Sequence, residues 1–337
     1  MVRVGINGVG RIGRAFLRQA LAERDIDVVA VNDVTDVATL ARLLRRDSTW
    51  GPLGLPVDIF DEQTLVVGDA KIAVSSQSYP ELVHWRRHDV ELVVESTGRF
   101  RTRDTAAQHV KAGAERVLLS APGKGIDATL VMGVNDHTFD PERHIVVSNA
   151  SCTTNCVAPM VKVLDEAFGV SRGFMTTVHA YTSDQNLLDG PHKDARRARA
   201  AAVNVVPTST GAAKAVGEVL PQLAGRLDGV ALRVPVVDGS LVDLAVVVER
   251  DVTRDDVNAA FERAASDGPL AGRLRYETEP IVSSDVVLDT ASCVFDSQLT
   301  QASGRLVKAF GWYDNEWGYT SRLLELALLM GRAAAPR

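Results

Sequence analysis

A cysteine in a short polar run is the side chain best suited to covalent chemistry. The run SNASCTTNC, residues 148–156, follows a predicted strand and precedes a helical pattern over Val157–Phe168. We therefore expect Cys152 at a helix start, where backbone N–H groups and the helix dipole lower a thiol pKa and favour the nucleophilic thiolate. The alternative is an inert core cysteine, but the polar neighbours favour reactivity. Cys156, four residues on, is a poor disulfide or metal partner and is interpreted as a packing residue.

A nucleophilic thiol needs a base, and a histidine on a predicted strand can supply it. Residues 176–182 predict a strand on which Thr177, His179 and Tyr181 share a face. A protonated His179 would stabilise the thiolate by charge, and during turnover the ring would take the hydroxyl proton of a thiol adduct. His84 and His88 have the spacing of a metal pair, but no third ligand motif completes it. We predict no metal site.

A glycine-rich turn near the start of the chain predicts a dinucleotide site. Gly8, Gly10 and Gly13 form a G-x-G-x-x-G pattern after the predicted strand Val2–Asn7 and before an apolar-faced helix. Such glycines allow a tight turn and a close approach to pyrophosphate, and the helix start offers N–H donors to the anion. Asp33 follows about 20 residues after Gly13, the spacing at which a carboxylate meets the ribose hydroxyls. Because this carboxylate repels a 2′-phosphate, the pattern favours NAD over NADP.

Two patterns of predicted secondary structure divide the chain into two parts. Up to residue 150, short β-branched strands alternate with helical patterns, which predicts a parallel sheet with crossover helices. These strands are Val2–Asn7, Ile26–Asn32, Glu91–Glu95, Arg116–Ser120, Thr129–Gly133 and His144–Ser148. Beyond about residue 170 longer strands follow one another and predict an antiparallel-rich domain. They are Gly173–Tyr181, Val230–Val237, Leu241–Arg250, Val286–Phe295 and Arg305–Tyr313.

Two further helices are predicted in the second half of the chain. The first covers Asp255–Ala265, where Thr253 and Asp256 form a variant of the capping box. The second is an apolar helix over Trp317–Ala333 that is expected to pack back on the first domain.

Composition excludes several classes of protein. The 337 residues are 46% hydrophobic and 24% charged, as in an ordinary folded chain of two domains. The formal net charge of −6 gives no positive field for nucleic acid, so we expect no nucleic-acid partner. Three cysteines in a long chain fit a reducing cytoplasm. The sequence offers neither a signal-peptide pattern nor about 18 consecutive apolar residues, so export and membrane insertion are not expected.

Seven segments together resemble one family, phosphorylating glyceraldehyde-3-phosphate dehydrogenase of the NAD-dependent bacterial type. They follow one another in the family's order over essentially the whole chain. The segments are 6–14 (INGVGRIGR), 95–98 (ESTG), 120–122 (SAP), 148–156 (SNASCTTNC), 176–181 (TTVHAY), 207–214 (PTSTGAAK) and 313–319 (YDNEWGY).

The resemblance implies a fold and an activity. The α/β fold would combine a Rossmann-type parallel-sheet NAD domain, residues 1–150 completed by the C-terminal helix 316–337, with an α+β catalytic domain, residues 151–315, that has a mostly antiparallel sheet. The activity would be the glycolytic oxidation of D-glyceraldehyde 3-phosphate, with NAD and inorganic phosphate, to 1,3-bisphosphoglycerate. The protein would be a cytoplasmic homotetramer, in which a long loop over about Tyr181–Ala202 lies near a neighbouring subunit's cofactor.

The resemblance also implies roles for individual residues. Cys152 would be the nucleophile and His179 its base. NAD would be held by Gly8, Gly10, Arg11, Ile12, Gly13, Asp33, Ser120 and Asn315. The substrate and inorganic phosphate would be held by Ser151, Thr153, Thr182, Arg197, Thr210, Gly211 and Arg233.

Some alternatives remain open at this stage. Erythrose-4-phosphate dehydrogenase uses the same pair but hydrolyses its thioester, and an inhibitor-resistant isozyme would share the whole activity. A semialdehyde dehydrogenase typically prefers NADP, which Asp33 opposes. An inactive dinucleotide-sensing protein is disfavoured by the complete Cys152 and His179 pair. Gly190 replaces a common leucine, and the segment around Ser78 lacks a common arginine, so contacts to the adenosine part of NAD are reduced.

Overall fold

The computed structural model describes residues 1–332, which form two compact units. Unit 1 contains residues 1–130, 136–150 and 320–332, and unit 2 contains residues 131–135 and 151–319. The chain crosses from unit 1 to unit 2 between Ala150 and Ser151, immediately before Cys152. Residues 333–337, with which the predicted last helix ends, lie outside the described residues.

Unit 1 is built on a sheet that is nine-stranded within the described residues, in the order β10-β11-β9-β8-β1-β2-β7-β6-β5. Neighbouring strands from β10 to β7 pair in parallel, whereas β6 pairs antiparallel with both β7 and β5. The strands of this sheet are β1 (Val2–Asn7), β2 (Ile26–Asn32), β5 (Val57–Asp61), β6 (Thr64–Val67), β7 (Ala70–Ser75), β8 (Leu92–Glu95), β9 (Arg116–Leu119), β10 (Ala128–Thr129) and β11 (Val146–Ser148). Two short strands, β3 (Arg46–Asp47) and β4 (Gly51–Pro52), pair antiparallel in a separate sheet. The helices are α1 (Arg11–Ala20), α2 (Val37–Arg45), α3 (Arg103–Ala106) and α4 (Gln108–Lys111).

The central strands of unit 1 are apolar on both faces. Val4, Ile6, Val93, Val94 and Leu118 are fully buried. A parallel sheet covered on both sides requires such continuous apolar runs. The carboxyl ends of β1, β2 and β8 therefore meet at one edge of a rigid sheet, and the glycine turn begins at this edge.

Two predictions for unit 1 need correction. The predicted strand Thr129–Gly133 is reduced to Ala128–Thr129, because the chain turns at Gly133, where φ is +79°. The antiparallel strands β5 to β7 were missed altogether. Most residues of β5 are exposed, and buried residues in β6 and β7 alternate with partly exposed ones, so these strands lack the apolar runs of the central strands.

Unit 2 contains a sheet of eight strands among the described residues. The order is β13-β14-β12-β15-β19-β17-β16, with β18 paired to β19. Pairs β12–β14 and β16–β17 are parallel and the others are antiparallel. The strands are β12 (Val170–Ala180), β13 (Val206–Ser209), β14 (Leu227–Val234), β15 (Ser240–Val248), β16 (Leu274–Glu277), β17 (Cys293–Asp296), β18 (Gln301–Ser303) and β19 (Leu306–Tyr313), and the helices are α5 (Cys152–Phe168), α6 (Ala212–Val219), α7 (Arg254–Ser266) and α8 (Trp317–Arg332), of which the last continues into unit 1.

The predicted helix around residue 260 is confirmed as α7. Thr253 Oγ1 accepts the N–H of Asp256 at 3.1 Å, and Asp256 Oδ2 accepts the N–H of Thr253 at 2.9 Å. The predicted strand Val286–Phe295 is wrong over most of its length. Leu288 has a φ of +68°, which no strand residue adopts, and only Cys293–Asp296 forms a strand.

Candidate active site

Helix α5 begins at Cys152, as predicted. Ala150 has a φ of +55°, an uncommon conformation for a residue with a side chain, and this turns the chain from β11 toward the helix. Ser151 is the N-cap, because its Oγ accepts the N–H of Thr154 at 3.0 Å. The thiol therefore lies at the first helical position, where the helix dipole favours negative charge.

The imidazole of His179 reaches this thiol. The distance from Cys152 Sγ to His179 Nε2 is 3.4 Å. His179 is near the end of β12, on the sheet face that also buries Met175 and Thr177, and its side chain is almost fully buried. A strand from one segment and a helix start from another thus bring together the two residues predicted for the chemistry.

Arg233 approaches the other side of the same ring. It lies on β14, directly opposite His179 in the parallel pairing of β12 and β14. Its Nη1 is 2.5 Å from His179 Nδ1 and donates to the carbonyl oxygen of Ala180 at 3.0 Å. Nδ1 also lies 2.7 Å from that carbonyl. The guanidinium can only donate and the Ala180 carbonyl can only accept, so these two contacts favour opposite tautomers of the ring; the tautomer with its proton on Nδ1 leaves Nε2 as a proton acceptor facing the thiol.

The charges of this pair differ from the sequence-based prediction. Burial raises the pKa of the Cys152 thiol, while the Arg233 guanidinium lowers it. Burial, assisted by Arg233, lowers the pKa of His179 to about 3. Both shifts favour the neutral thiol and the neutral imidazole over the predicted ion pair, and the Arg233 guanidinium is a second positive group beside the thiol.

Tyr313 is a buried part of the site that the sequence analysis missed. Its hydroxyl lies 2.9 Å from both Thr153 Oγ1 and Thr177 Oγ1. Its ring meets the His179 ring edge-on, with centroids 5.9 Å apart. Thr153 follows the nucleophile and Thr177 precedes the histidine by two residues, so Tyr313 fixes α5 relative to β12. The sequence could have indicated a contact here, because Thr177 and His179 were predicted on the same strand face.

Gly311 on β19 allows α5 to lie close to the sheet. A Cβ there would fall 2.6 Å from Cys293 Sγ, 2.6 Å from Met160 Sδ and 3.2 Å from Cys156 Sγ. The three cysteines are all free thiols, and Cys156 and Cys293 are buried. Cys156 thus packs the helix against the strand, as predicted.

The residues predicted to hold phosphate belong to unit 2, and one of them, Arg197, is close enough to Arg233 to affect its pKa. Arg197 contacts Thr208 Oγ1 through Nε at 2.9 Å and forms an ion pair with Asp184. It also lowers the pKa of Arg233, although burial is the larger cause. Thr210 Oγ1 accepts the N–H of Ala212 at 3.2 Å at the start of α6.

The other predicted phosphate ligands lie in loops and at helix starts. Gly211 is the N-cap of α6, and a Cβ there would meet no atom within 4 Å. Thr182 follows the end of β12, and its N–H donates to Gln185 Oε1 at 3.3 Å. Two guanidinium groups, hydroxyls and a helix start are groups that bind phosphate well.

The glycine turn of unit 1 fits a dinucleotide. Gly8 has a φ of +92°, and a Cβ on Gly13 would fall 2.1 Å from the Gly8 carbonyl oxygen, so helix α1 must approach the strand without a side chain there. A Cβ on Gly10 would meet no atom within 4 Å, which leaves room beside the helix start for a pyrophosphate. Asp33 Oδ2 accepts the N–H of Val9 at 2.7 Å, so this carboxylate is held against the turn.

The other residues predicted to bind NAD have varied surroundings. Arg11 begins α1, but its guanidinium lies 3.9 Å from the centre of the Trp50 ring and pairs with Asp47. Ile12 is half-buried beside it. The Ser120 N–H donates to the Glu95 carbonyl at 3.0 Å in unit 1. In unit 2, Asn315 Oδ1 accepts from Ser240 Oγ at 2.6 Å.

Residues 1–332 contain neither a metal-binding cluster nor a membrane-spanning helix. No group of three or more histidine, cysteine, aspartate or glutamate side chains is arranged to hold a metal ion. Nor does this part of the chain contain a helix of the length and apolar character needed to cross a membrane.

A dinucleotide turn on a mostly parallel sheet and a thiol beside an imidazole define the class of NAD-dependent dehydrogenases that act through cysteine. Comparison with known proteins specifies the family. Residues 2–103 match the family described as glyceraldehyde 3-phosphate dehydrogenase, NAD binding domain, and residues 151–315 match its C-terminal domain. The chain belongs to the glyceraldehyde-3-phosphate dehydrogenase family.

Curated relatives agree along nearly the full length. Glyceraldehyde-3-phosphate dehydrogenase of Streptomyces coelicolor is 56% identical over 332 residues, which cover 98% of each chain. The protein of that name from Kitasatospora aureofaciens is 56% identical over 335 residues, 98% of this chain and 100% of the relative. That of Mycobacterium avium is 54% identical over 338 residues, 98% of this chain and 99% of the relative.

Proposed function

We propose that this protein catalyses the NAD-dependent oxidative phosphorylation of D-glyceraldehyde 3-phosphate to 1,3-bisphosphoglycerate, a reaction of glycolysis. The observation that carries the proposal is the 3.4 Å contact between Cys152 Sγ at a helix start and His179 Nε2. Family membership over 98% of the chain supports the substrate and cofactor.

The first step joins the substrate to the enzyme. Cys152 Sγ attacks the aldehyde carbon, and His179 Nε2 transfers the thiol proton to the carbonyl oxygen, which gives a thiohemiacetal. The N–H groups at the start of α5 stabilise the developing oxyanion. Burial and the Arg233 guanidinium lower the pKa of His179, which favours the neutral imidazole that can accept this proton.

The next steps form and cleave a thioester. His179 Nε2 takes the hydroxyl proton while the C–H bond breaks. NAD, when bound, supplies the acceptor for the hydride. A phosphate oxygen then attacks the thioester carbon, the C–S bond breaks, and the sulfur recovers a proton from the imidazole. The acyl phosphate leaves, and the free thiol is restored.

Phosphate groups of the substrate and of inorganic phosphate require cationic and hydroxyl donors. We assign them to Arg233 and Arg197, whose planar guanidinium groups offer forked donors. The remaining donors would be Ser151, Thr153, Thr182, Thr210 and Gly211. Arg233 would thus serve both phosphate binding and the charge beside the thiol.

The proposed NAD site is centred on the glycine turn of unit 1. The start of α1 and the turn at Gly8, Gly10 and Gly13 would bind the pyrophosphate, and Asp33 the ribose hydroxyls. The other contacts assigned to the cofactor come from Arg11, Ile12, Ser120 and Asn315. We accordingly assign residues 1–150 and the C-terminal helix to cofactor binding, and residues 151–315 to catalysis.

We further propose a cytoplasmic homotetramer. The sheet face of unit 2 opposite His179 exposes apolar side chains on three strands, with Phe174 72%, Val230 50% and Leu306 52% exposed. A sheet face that exposes large apolar side chains beside charged groups such as the Lys308–Asp243 ion pair is typical of a subunit interface. Replacing Phe174 with aspartate should shift the particle mass toward smaller species in light scattering, and an unchanged mass would remove this face from the interface.

A spectrophotometric assay tests the proposed function. The purified protein should form NADH from glyceraldehyde 3-phosphate only when inorganic phosphate is present. Turnover of erythrose 4-phosphate without phosphate would instead indicate the hydrolytic relative. Faster reduction of NADP than of NAD would contradict the role of Asp33. Equal inactivation by a thiol-directed epoxide in this protein and a housekeeping relative would exclude an inhibitor-resistant isozyme.

A further inference from the structure

A chain of buried hydrogen bonds in unit 1 takes no part in the chemistry proposed above. It runs from Trp85 through His109 to Glu95, and these side chains are at most 2% exposed. Buried polar groups cost free energy unless each has a partner, and an ionised carboxylate costs most. A complete chain of partners in the core is therefore a feature that requires an explanation.

The direction of the hydrogen bonds is fixed at the indole. Trp85 Nε1 can only donate, and it lies 2.9 Å from His109 Nδ1. Nδ1 must therefore be the acceptor, and the neutral ring carries its proton on Nε2. That nitrogen lies 3.0 Å from Glu95 Oε2 and donates to it. His109 thus connects a donor in the core to a carboxylate at the end of β8.

Glu95 is surrounded by donors. Besides His109, Asn7 Nδ2 donates to Oε2 at 2.6 Å, the Thr97 N–H donates to Oε1 at 2.9 Å, and the Thr97 hydroxyl donates to the same oxygen. A carboxylate that accepts several such bonds is stabilised in its charged form. Glu95 fixes the end of β1 through Asn7 and the loop after β8 through Thr97.

The chain continues across the sheet. Asn7 Oδ1 accepts from Asn32 Nδ2 at 2.8 Å, and Asn32 Oδ1 accepts from Ser75 Oγ and from the Gln77 N–H, each at 2.8 Å. The carboxyl ends of β1, β2, β7 and β8 are therefore connected by side chains in addition to their backbone pairing. This is the edge at which the glycine turn begins.

The loop fixed by Glu95 lies directly against that turn. Ser96 Oγ donates to the Gly8 carbonyl at 2.6 Å. A Cβ on Gly8 would fall 2.8 Å from the backbone nitrogen of Thr97, so the two segments touch without space for a methyl group. A displacement of the Ser96 and Thr97 backbone would consequently displace Gly8.

We propose that the Trp85–His109–Glu95 chain positions the dinucleotide-binding turn and thereby sets the affinity of the protein for NAD. These three are positioning residues, since they act on the turn through Asn7, Ser96 and Thr97. The inference rests on the proposed function only for the identity of the ligand. A purely structural chain would change stability without a selective effect on NAD.

Replacing Glu95 with glutamine tests the proposal with little change in volume. In the variant, the amide NH₂ of glutamine replaces one carboxylate oxygen and faces a hydrogen-bond donor. The two donors repel each other, so the loop with Ser96 and Thr97 must move. We expect the Kd for NAD, measured by calorimetry, to rise about tenfold or more, because loss of charge-assisted hydrogen bonds displaces the loop that lies against Gly8. The kcat at saturating NAD should stay within about twofold, because Cys152 and His179 are untouched.

Asp127→Asn is the matched control. Asp127 accepts the N–H groups of Ile145 and Val146 at 2.9 and 2.7 Å in the same sheet, without a hydrogen bond to the turn among those described. It should lower the Tm and leave the Kd for NAD unchanged. Equal weakening of NAD binding by both variants, or an unchanged Kd in folded Glu95→Gln, overturns the proposal.

A second variant decides the matter if Glu95→Gln does not fold. Trp85→Phe keeps an aromatic ring but removes the indole donor that fixes the tautomer of His109. We expect its Kd for NAD to rise about threefold, and an unchanged Kd overturns the proposal. NAD titration requires no turnover, so a protein that binds NAD but oxidises no aldehyde phosphate contradicts the proposed function alone.

Discussion

Each unit of this protein buries a histidine, and the two have very different partners. In unit 1, His109 has both ring nitrogens bound to protein side chains, Trp85 and Glu95. In unit 2, one nitrogen of His179 lies near a backbone carbonyl and Arg233, and the other faces a thiol. A buried histidine becomes available for chemistry when one nitrogen is left to the reacting group.

The buried carboxylates show the same contrast. Glu95 accepts hydrogen bonds from Asn7, Thr97 and His109. Asp238 in unit 2 accepts the N–H of its neighbour Gly239, but burial and the nearby Asp314 carboxyl raise its pKa to about 8. The Glu95 carboxylate of unit 1 is thus surrounded by hydrogen-bond donors, whereas the Asp238 carboxyl of unit 2 lies near another carboxyl group and the thiol.

The largest effect should follow from removing the nucleophile. Cys152→Ser should reduce turnover by about 10⁴-fold, because a serine hydroxyl is far less nucleophilic than a thiol beside the same base. NAD binding by unit 1 should be unchanged in calorimetry. Cys293→Ala serves as a matched control, since this thiol is buried in packing, and it should retain most of the activity. Near-normal turnover in Cys152→Ser would refute the assignment.

Parallel replacement of the two histidines tests the comparison directly. His179→Asn should lower kcat by about 10²–10⁴-fold, the contribution of a general base, with a small change in Tm. His109→Asn should lower the Tm and the affinity for NAD while kcat at saturating NAD is preserved. Steady-state kinetics at varied NAD concentration give kcat and the affinity for NAD of both variants, and thermal unfolding gives their Tm. The distinction fails if both variants lose kcat to the same extent.

Arg233→Leu should produce a smaller loss and a shift in pH dependence. Loss of the charged donors should raise the KM for glyceraldehyde 3-phosphate by roughly 10–100-fold. The guanidinium lowers the pKa of Cys152 and of His179, so both pKa values should rise in its absence. The rate of thiol alkylation measured against pH should therefore move to higher pH. Arg226→Leu, which removes a donor to the Val170 carbonyl, should leave that profile in place.

The smallest effect concerns the stability of unit 2. An acid whose pKa is raised in the folded protein contributes stability that is complete below its unfolded value, near 3.8, and is lost as pH rises through the folded value of about 8. Asp238→Asn removes this loss. At pH 9 the variant should gain at least ~1 kcal/mol, about 2–4 °C in Tm. At pH 4 the two proteins should melt alike, and a gain of equal size at both pH values would exclude titration as its cause.

The sequence predicted the features that depend on local pattern. The start of α5 at Cys152, the strand that carries His179 and the glycine turn after β1 each follow from spacing and residue type within a short window. The family-level comparisons then agreed with the resemblance over nearly the whole chain.

What depends on burial was not predictable in this way. The raised pKa of Cys152, the lowered pKa of His179 and the hydroxyl of Tyr313 between two threonines arise where separate segments pack together. The strands from Val57 to Ser75 were missed for a related reason. They lie at the edge of the sheet, where half-exposed residues give no continuous apolar run.

The glycine at position 311 has a consequence for the protein's tolerance of mutation. Three sulfur atoms occupy the volume that any larger residue there would need. Alanine would lift the helix from the strand, and the nucleophile at its tip would move with it. A single buried and unreactive methyl group would thus displace the catalytic thiol. Slower alkylation of Cys152 in Gly311→Ala would show this displacement.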